Sequence, residues 1–182
     1  MNNVVLIHSY NADTLQGFAI SVEKICKENN IKYIAPQFPI RQDASYDSWE
    51  NVMNQYNVFD EDTIVIAHSL GTQFILKYLA QKNIQIKKYI SVAGFVNYTG
   101  RKDLEETLHK FKVNENEFEM CKTLIKNRIS IYSDNDALNS VQNLEGYANK
   151  LNAKKVLLKN QAHFSPKDGI AEIKELNEFI LN

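Results

Sequence analysis

The feature that most constrains the fold is the stretch 63–74, which reads TIVIAHSLGTQF. An apolar, β-branched run leads directly into His-Ser-Leu-Gly, and helical spacing then relates Phe74, Ile75, Tyr78 and Leu79. The pattern predicts a strand, a sharp turn and a helix. The small residues Ala67 and Gly71 stand two positions before and after Ser69, as a tight turn requires, so the Ser69 side chain would stand exposed above the end of a sheet. This is the pattern of a nucleophile elbow, G-x-S-x-G, with Ala67 in place of the first glycine.

Strand and helix patterns alternate along the rest of the chain. Short apolar runs rich in Val, Ile and Tyr occur at Val4–His8, Ile31–Ala35, Thr63–Ala67, Lys87–Ala93, Arg128–Tyr132 and Lys154–Leu158. The first, third and fourth are almost continuously apolar, as strands covered on both faces are. Helical patterns occupy 14–29, 47–56, 140–151 and the segment from Ile170 to Ile180. The alternation predicts one three-layer α/β/α domain over 1–182, with a mostly parallel six-stranded sheet.

The segment 94–127 interrupts this rhythm. It is too long for a simple crossover and holds two amphipathic patterns, one with Leu104, Leu108 and Phe111 and one with Phe118, Cys121, Leu124 and Ile125. We expect a helical insertion, one helix of which could cover the strand ends as a small lid. The alternative is that both helices only pack on the sheet.

Composition excludes several classes of function. The net charge is -1 and the basic residues are dispersed, so nothing favours a nucleic-acid partner. No apolar run reaches the ~20 residues of a membrane span. The run before His8 is uncharged and predicts a first strand, not a signal peptide.

Cys26 and Cys121 are far apart on predicted helices and are expected to be buried thiols in a cytoplasmic protein. No metal or organic cofactor is predicted, and no oligomeric state is implied.

A serine nucleophile needs a base, and the sequence offers four histidines. His163 follows the last predicted strand on a short polar loop, 160–164, and is the best candidate. His8 ends the first strand, where it suits structural hydrogen bonding of the following loop. His68 lies inside the elbow, where the side chain normally faces away from the serine. His109 is surrounded by Lys and Glu and is expected at the surface.

The carboxylate that would orient the base follows the fifth predicted strand in Ser133-Asp134-Asn135-Asp136. We assign Asp136, three residues past the strand end. Asp134 is the alternative, although it is better suited to shaping the turn through its own backbone. The order Ser69, Asp136, His163 is that of α/β hydrolases.

An oxyanion hole would complete such a site. One donor is expected to be the backbone N–H of Leu70, at the positive end of the helix that follows Ser69. The second is expected from the loop after the first strand, with the amide of Tyr10 as the best candidate.

These motifs resemble the small α/β hydrolases of the retinoblastoma-binding protein nine and YdeN type along nearly the whole chain. The similar segments are His8-Ser9-Tyr10, Phe38-Pro39 with the Trp49 segment, Ala67-His68-Ser69-Leu70-Gly71, Ser133-Asp134-Asn135-Asp136 and Ala162-His163-Phe164. The resemblance implies a compact serine hydrolase with a Ser69, Asp136 and His163 triad. Ala67 and Ser9 stand where relatives usually carry glycine, and both are small. Taken alone, Trp49 is expected in the core.

The sequence therefore predicts a serine hydrolase that cleaves a small-molecule carboxylic ester, thioester or amide through an acyl-enzyme. The same residues could transfer the acyl group to an acceptor other than water. The alternative from another class is a catalytically weak or silent protein-interaction module that keeps the fold, since a fold does not prove a function.

Overall fold

The computed structural model describes residues 3–11, 16–97 and 105–182, except for the side chain of residue 107. In these ranges the chain forms six β-strands and seven α-helices. The strands are β1 (Asn3–Ile7), β2 (Lys32–Ile34), β3 (Ile64–His68), β4 (Ile86–Val92), β5 (Ile125–Ser133) and β6 (Lys154–Leu158). The helices are α1 (Phe18–Glu28), α2 (Tyr46–Met53), α3 (Leu70–Lys82), α4 (Glu105–Phe111), α5 (Glu115–Leu124), α6 (Val141–Lys150) and α7 (Glu175–Leu181).

The strands form one sheet in the order β2-β1-β3-β4-β5-β6. All five strand pairings are parallel, which confirms the predicted sheet. The chain moves outward from β1 to β2 and then returns to the other side of β1 with β3. The crevice beyond the carboxyl ends of β1 and β3 is therefore the topological switch point, where open α/β sheets bind their ligands.

Alternate side chains of each central strand enter two separate cores. Val5 and Ile7 pack into the core that also holds Trp49, whereas Val4 and Leu6 pack against residues of α1 and α7. Every residue of β1 and β3 is buried. This two-sided burial explains the continuous hydrophobicity of these runs and confirms the three-layer arrangement and the core position of Trp49.

Several element boundaries differ from the predicted ones, and two of the differences concern apolar residues of predicted helical faces. The last helix begins at Glu175 and excludes Ile170 and Ile173, which follow a 3₁₀ turn at Pro166–Asp168 that ends at Gly169 with φ 77°. Strand β5 begins at Ile125, immediately after α5, so Ile125 belongs to the strand and not to the helical pattern. Ile125 is nevertheless buried, and burial alone does not distinguish a short strand from a helix end.

The described part of the insertion packs onto the body of the domain. Leu108 of α4 and Phe118 and Cys121 of α5 join the same core as Phe74 of α3. Residues 98–104 lie outside the described ranges, as does Leu15 of the first helical pattern. That the insertion acts as a lid stays a prediction.

Both cysteines are buried free thiols, as predicted. Burial raises the pKa of Cys26 to about 11 and that of Cys121 to about 12. The Cys121 thiol also donates to the carbonyl of Leu76 at 3.3 Å. In the part of the chain that the structure describes, every helix is too short or too polar to cross a membrane.

The first turn of α3 lies directly on the end of β1, and this close approach depends on Gly71. A Cβ at Gly71 would lie 2.5 Å from the carbonyl oxygen of His8 and 2.8 Å from that of Ile7. These are backbone atoms in and beside a central strand, so they cannot yield without displacing β1. Only glycine fits here.

We predict that Gly71→Ala destabilises the protein by about 2 kcal/mol or more, the cost typical of an overpacked core. Gly146→Ala is the matched control, because its Cβ would meet only Val96 Cγ2, at 3.4 Å, and alanine is favoured inside α6. Urea unfolding at neutral pH measures both. Equal stability of the two variants would contradict the proposed contact.

Candidate active site

Ser69 occupies a strained turn between β3 and α3. Its backbone has φ 51° and ψ -119°, a conformation that residues with a side chain seldom adopt. The turn is held from both sides. The N–H of Ser69 donates to the carbonyl of Val92 in β4 at 2.9 Å, and its carbonyl accepts the Thr72 hydroxyl at 2.6 Å. Strain of this kind persists only where the surroundings determine it, and it is concentrated at functional sites.

The imidazole of His163 lies between Ser69 and Asp136. Its Nε2 is 2.9 Å from Ser69 Oγ, and its Nδ1 is 2.7 Å from Asp136 Oδ2. The carboxylate can only accept at Nδ1, so Nδ1 carries the hydrogen and Nε2 is free to accept the serine proton. The structure thus joins residues 69, 136 and 163 in one hydrogen-bonded chain.

Asp136 is itself fixed by backbone donors. Its side chain is 0% exposed, and its Oδ1 accepts the N–H groups of Leu138 at 2.8 Å and Asn139 at 3.1 Å. Oδ2 is therefore directed at His163. A buried carboxylate with both oxygens bonded is a rigid partner for the imidazole.

The loop that carries His163 is attached to the loop that carries Asp136. Three side chains at the end of β5 and just beyond it accept the N–H groups of three consecutive residues: Asp134 Oδ1 from Asn160 at 2.9 Å, Ser133 Oγ from Gln161 at 3.0 Å, and Asn135 Oδ1 from Ala162 at 2.8 Å. Asp136 continues the series with the ring of His163. Each of the four residues 133–136 therefore accepts a hydrogen bond from the loop that carries His163.

The expectation for Asp134 needs correction. Its carboxylate does not shape its own turn, because Oδ1 accepts the N–H of Asn160 in the neighbouring loop. The side chain is exposed, in contrast to that of Asp136. Asn160 lies on another loop, 26 residues further along the chain, so the spacing of residues within 133–136 gives no sign of this bond.

His8 connects the loop after β1 to the segment around Phe38. Its Nε2 accepts the N–H of Phe38 at 2.9 Å, so the hydrogen is on Nδ1, which lies 2.7 Å from the carbonyl of Ser9. The ring is buried against Phe38 and Trp49. These contacts agree with the structural role expected of His8.

His68 reaches the loop of the candidate base. Its Nε2 lies 2.8 Å from the carbonyl oxygen of His163 and must carry the hydrogen, because a carbonyl can only accept. The ring is buried, and its centroid is 5.2 Å from that of His163. Desolvation, and then repulsion from His163, lower the pKa of His68 to about 3. His109, by contrast, is exposed, as expected.

The two candidate oxyanion donors lie on the elements expected of them. Leu70 is the first residue of α3, and Tyr10 is three residues beyond β1, where its carbonyl accepts the N–H of Arg41 at 3.1 Å. The contact of Gly71 with the end of β1 brings these two segments side by side. Residues 12–15 of the same loop are outside the described ranges.

The sequence assigned no such role to four residues that hold the site: His68, Ser133, Asn135 and Asp168. Asp168 Oδ2 accepts the backbone N–H of His163 at 3.2 Å and that of Ser165 at 3.0 Å. Ser165-Pro166-Lys167-Asp168 is a helix-start signature that could have identified this residue. No local signal identifies His68 or Asn135, because both bond to a distant loop.

A family model described as Serine hydrolase matches residues 29–180. The chain belongs to the serine hydrolase family. A search among curated proteins gives no match. The family assignment therefore agrees with the resemblance that the motifs indicated.

Solved structures similar to this serine hydrolase are α/β hydrolases. YdeN from B. subtilis has a TM-score of 0.88 at 19% identity and covers 100% of this chain and 97% of its own. A putative YdeN-like hydrolase from Pectobacterium atrosepticum has a TM-score of 0.69 at 14% identity, covering 100% and 91%. A carboxylesterase structure from Nitrososphaera gargenis has a TM-score of 0.70 at 13% identity, covering 99% and 88%. These likenesses establish the fold.

The buried state of His68 predicts a pH dependence of stability. Its pKa is about 3 in the folded protein and 6.5 in the unfolded chain, so unfolding takes up a proton between these values. Well above pH 6.5 the imidazole is neutral in both states, so the burial of His68 costs no stability. The free energy of unfolding declines as the pH falls below 6.5, because only the unfolded chain binds the proton. Between pH 7 and pH 5 the loss attributable to His68 should be about 2 kcal/mol.

Urea unfolding of the wild type and of His68→Gln at pH 7 and pH 5 measures this loss. The variant lacks the titrating group and should lose less stability than the wild type over that range. If both proteins lost the same amount, His68 would not be held neutral by burial.

Proposed function

We propose that this serine hydrolase cleaves a carboxylic ester, thioester or amide with Ser69 as nucleophile, His163 as general acid and base, and Asp136 as the residue that orients His163. The observation that carries the proposal is the hydrogen-bonded chain from Ser69 Oγ to His163 Nε2, at 2.9 Å, and from His163 Nδ1 to Asp136 Oδ2, at 2.7 Å. Nucleophile, base and orienting carboxylate at these distances form the geometry required for acyl transfer.

In the first half of the reaction, Ser69 Oγ attacks the substrate carbonyl carbon while His163 Nε2 takes the hydroxyl proton. The C–O bond to Ser69 forms, and the carbonyl π electrons move to oxygen. The backbone N–H groups of Leu70 and Tyr10 are the proposed donors to this oxyanion. As the oxyanion collapses, the bond to the leaving group breaks, and that group takes the proton from His163.

In the second half, water repeats the sequence on the acyl-enzyme. The oxygen of a water molecule attacks the acyl carbon while His163 Nε2 takes a proton from that water. His163 then returns the proton to Ser69 Oγ as the bond between Oγ and the acyl carbon breaks. A carboxylic acid leaves, and the enzyme is regenerated. Asp136 stays ionised throughout and stabilises the imidazolium that forms in each half. The similar fold of the Nitrososphaera carboxylesterase supports an ester as the first substrate class to test.

Labelling with a fluorophosphonate probe tests the nucleophile. Wild-type protein should be labelled, and Ser69→Ala should not be, because the probe reacts only with an activated serine. Hydrolysis of p-nitrophenyl esters by Ser69→Ala should fall by ~10⁴–10⁶-fold. Thr123→Ala, which removes an exposed hydroxyl on α5, is the control and should be labelled like the wild type. A folded wild-type protein that resists the probe would favour the non-catalytic interaction module.

A pair of aspartate variants tests the acid. Asp136→Asn should lower kcat for a p-nitrophenyl ester by ~10⁴-fold, since an amide can leave His163 in the wrong tautomer. Asp134→Asn keeps Oδ1, which accepts the Asn160 N–H, and should change kcat only slightly. The two variants are isosteric with the wild type. The reverse ranking would reassign the acid to Asp134.

A further inference from the structure

His163 is held through its main chain as well as through its ring. Its backbone N–H donates to Asp168 Oδ2 at 3.2 Å, and its carbonyl oxygen accepts from His68 Nε2 at 2.8 Å. The side-chain oxygens of Ser133, Asp134 and Asn135 accept the N–H groups of the loop before His163 and so hold that loop in place. The bond from His68 holds the carbonyl on the other side of the residue.

The backbone on both sides of His163 needs such support. Ala162 has φ 45° and Phe164 has φ 56°, and neither is glycine. A backbone conformation of this kind costs on the order of 1–3 kcal/mol per residue and persists only where other contacts impose it. Relaxation of either residue would rotate the peptide of His163 and move its ring relative to Ser69.

His68 is well placed to impose this conformation. It is the last residue of β3 and directly precedes Ser69, so one strand end carries both the nucleophile and the donor to the His163 carbonyl. The residue is 5% exposed, and its ring packs edge-on against Phe18 with centroids 5.5 Å apart. A buried donor on a central strand has little freedom to follow a moving loop.

The charge of His68 also suits this position. Burial lowers the pKa of its imidazole to about 3, so the ring is neutral at neutral pH. A neutral ring donates one hydrogen bond without adding a positive charge 5.2 Å from His163. A second cation there would oppose the imidazolium that forms during acyl transfer.

We propose that His68 is a positioning residue: its Nε2–H holds the carbonyl of His163 and thereby sets the distance between the His163 imidazole and the Ser69 hydroxyl. This inference rests on the proposed roles of Ser69 and His163. It gives a function to His68, the variable residue of the elbow. His68 acts through the base, His163, and does not touch the reacting atoms.

A pair of near-isosteric variants tests the hydrogen bond. The side-chain amide of His68→Gln can present an N–H close to the position of Nε2, whereas His68→Met has a similar length and no donor. We expect His68→Met to lower kcat for a p-nitrophenyl ester by up to ~10²-fold with KM little changed, because the base is misplaced. His68→Gln should recover most of that loss. His109→Gln, an exposed histidine on α4, controls for the removal of an imidazole.

A second readout does not depend on turnover. The proton shared between His163 Nδ1 and Asp136 should give a low-field ¹H NMR signal that is absent from His163→Ala. We expect this signal in the wild type and in His68→Gln, and its loss through exchange in His68→Met. If the wild type hydrolysed nothing, the proposed function would fail, and this signal would still decide the role of His68.

Two results would overturn the inference. Equal losses of kcat in the Gln and Met variants would assign the effect to packing and not to the hydrogen bond. An unimpaired Met variant, with its NMR signal intact, would show that the carbonyl bond is dispensable. Thermal unfolding checks each variant. If His68→Met does not fold, His68→Asn, which keeps an amide too short to reach the carbonyl, replaces it and must show the same loss.

Discussion

The close approach of α3 to the end of β1 is the contact on which the rest of the site depends. Because Gly71 has no side chain, the first turn of the helix can lie against the carbonyl groups of Ile7 and His8. This contact brings the strained turn at Ser69 to the switch point of the sheet. It also brings the loop with Ser9 and Tyr10 alongside the N-terminus of α3, where backbone N–H groups and the helix dipole favour a developing negative charge.

The second half of the site is a pair of loops joined by polar bonds. The residues from Ser133 to Asp136 each accept one hydrogen bond from the loop that ends at His163. Backbone donors satisfied in this way turn two exposed loops into one unit. Asp168 and His68 then attach that unit to the turn before α7 and to β3. The imidazole is oriented by the sum of these bonds, most of which involve main-chain atoms of its own loop.

The sequence predicted the elements of the sheet well, because two-sided burial leaves a plain signature of continuous Val and Ile. It was less reliable at element ends. Ile170 has helical spacing with Ile173, but Gly169 adopts a left-handed conformation, and the helix starts later, at Glu175. Ile125 fits a helical face and also begins β5. At such positions the choice depends on hydrogen bonds to neighbours that periodicity does not register.

In the candidate site, too, local patterns fix some features and tertiary contacts fix the others. The sequence by itself determined that Ser69, Asp136 and His163 would follow the ends of three strands, since strand and loop patterns are local properties of the chain. Only the tertiary structure decided that His163 bonds to Asp136 while Asp134 binds the neighbouring loop, and that His68 holds the carbonyl of His163. These partners are distant in sequence, and a hydrogen bond forms only between groups that the fold has already brought within about 3 Å.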